Sequence, residues 1–116
     1  MKFTLTKAFK KSKHGIKLAA YDSYDEVPEA NTCFVSCEKG HFQEFYDKKS
    51  SFIYYIIKGS GTFYLNGKPV KAKATDLIVA KPKTKIYYLG KMKMLLTVVP
   101  SWQAENEVHV RFMPKK

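Results

Sequence analysis

Asn66-Gly67, set between FIYYIIKGSGTFYL and KPVKA, narrows what this chain can become more than any other feature. A two-residue type I′ turn needs positive φ at both central positions, and Asn-Gly supplies it, so the flanks must pair as an antiparallel hairpin. The flanks also alternate apolar and polar residues with the period of a strand. Similar segments recur in CFVSCE, HFQEFY, DLIVA, KIYYL and MKMLLTVV. In the last of these, Met92, Met94, Leu96 and Val98 face one way, and Lys93 and Thr97 the other. Gly-Ser-Gly at 59–61 reads as a divide between two strands. KFTL and GIKLAAY read as strands flanking a basic turn, KKSKHG, and SYDEVPEAN as a loop interrupted by Pro28. The tail PSWQAENEVHVRF offers a turn and a final strand. Eight to ten short strands at regular spacing predict an all-β sandwich or barrel.

A chain of 116 residues makes one domain. Eight Tyr, eight Phe and Trp102 suit pleated, half-buried surfaces and support the β reading. No window approaches 18 consecutive apolar residues, so no membrane helix is expected. MKFTLTKAFKKSKHG lacks the apolar core of a signal peptide, which predicts a cytoplasmic protein. Cys33 and Cys37, four apart on one strand, would have Cα atoms roughly 13 Å apart, beyond disulfide reach. They read as small buried thiols. The net charge of +11 is carried almost wholly by lysine, with Arg111 the only arginine. Such a charge attracts nucleic acid, anionic surfaces and phosphorylated molecules. Base readers favour arginine, however, and these lysines are scattered, so a solvated surface is the simpler reading.

The stretch YYIIKGSGTFYLNGKPVKAKATDLIVAKPKTKIYYLGKMKMLLTVVPSW resembles the cupin superfamily. IIKGSGTFYLNG is similar to the close of the first cupin motif, and TDLIVAKPKTKIYY to the second, with Thr75-Asp76 at its Gly-Asp start. The resemblance implies a single-domain, all-β, cupin-type jelly-roll β-barrel. Strands within 1–39 stand in front of a core at about 40–102, and a tail follows at 103–116. It also implies pairing as a homodimer through outer strands. Metal-binding cupins place a His-x-His pair and a Glu in the first motif and a His in the second. Here the Glu position holds Phe52 and the second-motif His position holds Ile86. The His-x-His pair falls at Tyr46 and Lys48, or at Phe45 and Asp47, depending on one residue of spacing. Hydrocarbon side chains offer a metal no lone pair, so no metal and no cofactor is expected. His14, His41 and His109 are spread along the chain without ligand spacing.

If the old ligand positions face inward, Phe52, Tyr54 and Ile56 line the barrel from one strand. Ile86 and Tyr88 do so from another, and Met92, Met94, Leu96 and Val98 from a third. These residues either fill a small barrel or wall an aromatic pocket. Lys81, Lys83 and Lys85, at every second position of an expected extended segment, would face one side at the barrel mouth. There they meet solvent or an anion. The first reading is thus a metal-independent cupin that binds a small polar or anionic, sugar-like ligand. Tyr46, Lys48, Phe52, Tyr54, Ile86, Tyr88, Lys81, Lys83 and Lys85 would form its site. A metal-free sugar isomerase or epimerase is the alternative, with His41 as base, Glu44 or Asp47 beside it and Tyr54 or Tyr88 opposite. Non-specific nucleic-acid binding by the lysine surface is a third reading. Trp102 would cap one barrel end or sit in a dimer contact.

Overall fold

The computed structural model describes residues 1–114. Nine strands form one antiparallel sheet that curls on itself: β1 (Phe9–Lys13), β2 (Ile16–Ala20), β3 (Asn31–Cys37), β4 (Gly40–Asp47), β5 (Ser51–Leu65), β6 (Lys68–Lys73), β7 (Leu77–Ala80), β8 (Ile86–Val99) and β9 (Glu107–Phe112). Short 3₁₀ turns occupy Leu5–Lys7 and Ala104–Asn106. The long strands β5 and β8 pair from Ser51↔Val99 to Leu65↔Ile86 and belong to both halves of the barrel. Towards its C-terminal end β8 lies between β3 and β5; towards its N-terminal end it lies between β4 and β5. The result is a jelly-roll barrel.

The Asn66-Gly67 hairpin forms as its residues require, with φ of 52° and 78°. Gly-Ser-Gly does not divide two strands. β5 runs through it, displaced by a bulge between Ile56 and Lys58, because Gly59 takes φ 91° and lets the backbone approach β8. KIYYL and MKMLLTVV are likewise one strand, with Gly90 between them at φ 130°. The basic segment does not turn as a whole. Phe9–Lys13 is a strand and only His14-Gly15 turns, while KFTL forms no strand. Lysine suits β1 because it is an edge strand.

The core is aromatic and aliphatic. Val35, Ile56, Phe63, Ile86, Met92 and Met94 are shut from solvent between the curled walls. Cys33 and Cys37 are buried and free. No helix among the described residues is long and apolar enough to cross a membrane.

Candidate functional site

A cavity of about 400 Å³ opens at one end of the barrel. β2 contributes Ile16, Leu18 and Ala20 to its wall, β3 contributes Cys33 and Val35, and β8 contributes Tyr88, Leu96 and Val98. These are the inward positions of strands whose alternate residues face out. β5 adds Phe52 and Tyr54, and β4 adds His41, Gln43 and Phe45. Phe9, Lys11 and Lys13 from β1 complete the lining with Asn31, Trp102 and Glu107.

His41 is the polar centre. Only 3% exposed, it stacks on Tyr88 at 5.4 Å and meets Phe45 edge-on at 5.3 Å and His14 at 6.0 Å between ring centroids. Its Nδ1 is sealed from solvent without a hydrogen-bond partner, which leaves Nε2 as the nitrogen that can serve the cavity. Burial lowers its pKa to about 4; the Gln43 backbone opposes this in part, and His14 and Lys13 add to it. The ring is therefore neutral near pH 7. Tyr54 and Tyr88 meet at 5.7 Å, and burial raises both phenol pKa values, so both stay protonated donors. Among the described residues neither hydroxyl has a hydrogen-bond partner. At the mouth, the Trp102 Nε1–H donates to Glu107 Oε1 at 3.1 Å, and the Trp102 backbone N–H donates to Asn31 Oδ1.

Of the expected site residues the cavity takes in Phe52, Tyr54, Tyr88 and His41, with Leu96 and Val98 on its wall as the alternation predicts, and it leaves out Tyr46, Lys48, Ile86, Lys81, Lys83 and Lys85. Tyr46 falls on the face of β4 opposite His41, Gln43 and Phe45, so the spacing that puts Phe45 and Asp47 inward is the one adopted. Lys48 is exposed in the turn after β4, and Ile86 is packed in the core beyond the cavity wall. Lys81, Lys83 and Lys85 are exposed, line no part of it and do not form a row. Their segment is a turn, with Lys83 at φ 70° and the Thr84 N–H donating to the Lys81 carbonyl at 3.1 Å.

The acids proposed beside His41 are engaged elsewhere. Glu44 accepts from Arg111 Nε at 2.8 Å. Asp47 Oδ1 accepts from the Lys49 and Ser50 amides at 2.9 and 2.7 Å. The three histidines, distant in sequence, gather around β4: His14 lies against His41, and His109 Nδ1 sits 3.0 Å from Gln43 Nε2. Yet among the described residues no group of three His, Cys, Asp or Glu is placed to hold a metal. Phe45, Asp47, Phe52 and Ile86 at the cupin ligand positions do not fit one. Sequence reasoning missed the β1 wall and Glu107. The alternation Phe9, Lys11, Lys13 was the available signal, hidden by reading KKSKHG as a turn.

No protein-family model and no curated protein sequence matches the chain. Solved structures do. Pac13, described as a unique nucleoside dehydratase, superposes with a TM-score of 0.94 at 46% identity, over 98% of this chain and 93% of that one. Streptomyces Pac13 has also been solved with uridine in variants that change one histidine to glutamine or one of two tyrosines to phenylalanine. An RmlC-like cupin from Shewanella frigidimarina matches at TM-score 0.69 and 13% identity, over 86% of this chain and 89% of that one, a likeness of fold. With nearly half its residues and almost its whole length shared with Pac13, the chain belongs to the cupin superfamily and, within it, to the family of Pac13.

Proposed function

We propose that this protein is a nucleoside dehydratase in which His41 moves the proton. One observation carries the reading: a buried, neutral imidazole stands with two phenols of unengaged hydroxyl on the wall of an apolar cavity. The same residue types, one histidine and two tyrosines, are those altered in the uridine complexes of Pac13. A cavity of 400 Å³ admits a nucleoside, with aromatic walls for the flat base and polar groups gathered at one place for the sugar.

Dehydration breaks a C–H and a neighbouring C–O bond, forms C=C and releases water. His41 Nε2 takes the proton from carbon, and the resulting imidazolium returns it to the departing hydroxyl, so one side chain serves as base and then acid. A neutral imidazole removes such a proton where an adjacent carbonyl spreads the charge, so the substrate class is a nucleoside carrying that carbonyl. Tyr54 and Tyr88, held as phenols, donate to the oxygen on which charge develops.

The test is calorimetric binding of uridine, followed by mass-spectrometric detection of one lost water from a carbonyl-bearing nucleoside. Tyr88→Phe should bind uridine and lose about ten- to a hundredfold in turnover, the worth of one hydrogen bond to a charged group. Absence of uridine binding by the parent protein would sink the reading.

Buried free thiols at Cys33 and Cys37 suit a reducing, cytoplasmic compartment. Homodimer pairing across the outer sheet would cover Tyr55, Leu77 and Val79, which the single chain leaves 41%, 58% and 46% exposed. Sedimentation should then show twice the 13.4 kDa monomer mass, and a single monomer mass at all concentrations would reject pairing.

A further inference from the structure

Away from the nucleoside cavity, and sharing no lining residue with it, a second groove of about 710 Å³ crosses β2, β3, β8 and β5. Small residues, Gly15, Ser36, Gly59 and Ser60, line it together with Lys17, Lys58, Lys91 and Lys93. The strand register sets three of these lysines in one row: Lys17 pairs with Ser36, Ser36 with Lys93, and Lys93 with Lys58. Partners in a row share a face, so all three ammonium groups rise on the same side. At about 4.8 Å between strands the row spans roughly 15 Å. Lys58 and Lys93 stand directly opposite each other, an arrangement that costs folding energy when nothing intervenes. Only Glu38 answers this charge: it lies 3.4 Å from Lys91, and both side chains are about four-fifths exposed. Among the described residues Lys17, Lys58 and Lys93 have no acidic partner.

The β5 bulge makes the arrangement. It puts an extra residue between Ile56 and Lys58, which brings Lys58 opposite Lys93 and Gly59 onto the backbone of β8. A groove lined by glycine and serine beside three like charges leaves room that a compact, multiply charged anion fills, and filling it relieves the repulsion. We infer that this groove is a second binding site, for a small polyphosphate anion such as the tail of a nucleoside triphosphate. Lysine suits this ligand, since a point charge on a flexible stem follows a phosphate chain without fixed geometry. The site acts through charge and needs nothing from the dehydratase reading.

The experiment is calorimetry with inorganic tripolyphosphate at constant ionic strength. Removing two of its ammonium contacts in the double variant Lys58→Gln/Lys93→Gln should weaken binding about tenfold or more. The double variant Lys68→Gln/Lys71→Gln removes the same charge from β6, outside the groove, and should leave binding within about twofold, as expected for distant charges under screening. Glu38→Gln removes the groove's one carboxylate and should tighten binding, which tests the site even if the double variant folds poorly. Equal loss in both double variants would show attraction to net charge alone and overturn the site, as would no binding by the parent protein. A single-stranded oligonucleotide of about ten nucleotides is the remaining arm. If it responds to the groove variant while tripolyphosphate does not, the small-anion assignment fails and a nucleic-acid backbone takes its place.

Discussion

Replacing His41 with glutamine should lower turnover about 10²- to 10⁴-fold, the usual contribution of a positioned general base, while uridine remains bound. Glutamine keeps a polar side chain of similar reach in the cavity wall, yet its amide has no basic nitrogen. The loss should therefore fall on kcat and not on affinity. The parent protein should also show the depressed pKa directly. Its kcat/KM in the free enzyme should rise with pH through about 4 and stay flat through 6.5, where an exposed histidine would titrate. The same shift bears on stability. The unfolded chain takes up the proton near 6.5 and the folded chain only near 4, so stability is lost as pH falls through that window. The loss amounts to about 3 kcal/mol, and His41→Gln should remove that part of the slope. An acid limb near 6.5 that survives in the variant would assign the proton to another group.

Gly59→Ala should destabilise the fold by about 3–5 kcal/mol, enough to lower the melting temperature by about 15 °C. Two penalties coincide there. Gly59 has φ 91°, and a Cβ would lie 2.1 Å from the Lys91 carbonyl oxygen and 3.1 Å from Met92 Cα, all of it backbone. Backbone cannot swing aside as a side-chain tip can, so β5 must separate from β8 where both strands serve the two halves of the barrel. Gly67→Ala is the comparison. Gly67 also has positive φ, at 78°, but nothing lies within 4 Å of its Cβ. It should cost only about 1 kcal/mol. Equal costs at both positions would show that conformation, and not close approach, governs the bulge.

The sequence alone determined the hairpin, the inward alternation of the central strands and the barrel class, because each rests on local chemistry. Asn66-Gly67 can make its turn before any distant residue arrives, and period-two alternation in β5 and β8 sorts Phe52, Tyr54 and Tyr88 inward wherever a barrel closes. The absence of metal ligands at Phe52 and Ile86 was equally legible, since it depends on side-chain identity and no geometry. Continuity was not legible. Glycines at 59, 61 and 90 look like strand breaks in sequence, and only the packing of β5 against β8 makes them points of close approach inside continuous strands. The lysines divide in the same way. Alternation alone suggested a row at Lys81, Lys83 and Lys85, where a turn disperses them, while the cross-strand register assembled Lys17, Lys58 and Lys93, which lie far apart in the chain. His41 owes its neutral state to burial, with Tyr88 and His14, both distant in sequence, packed against it. Local propensity is a property of a few adjacent residues, but desolvation and charge proximity belong to residues that only the closed barrel brings together.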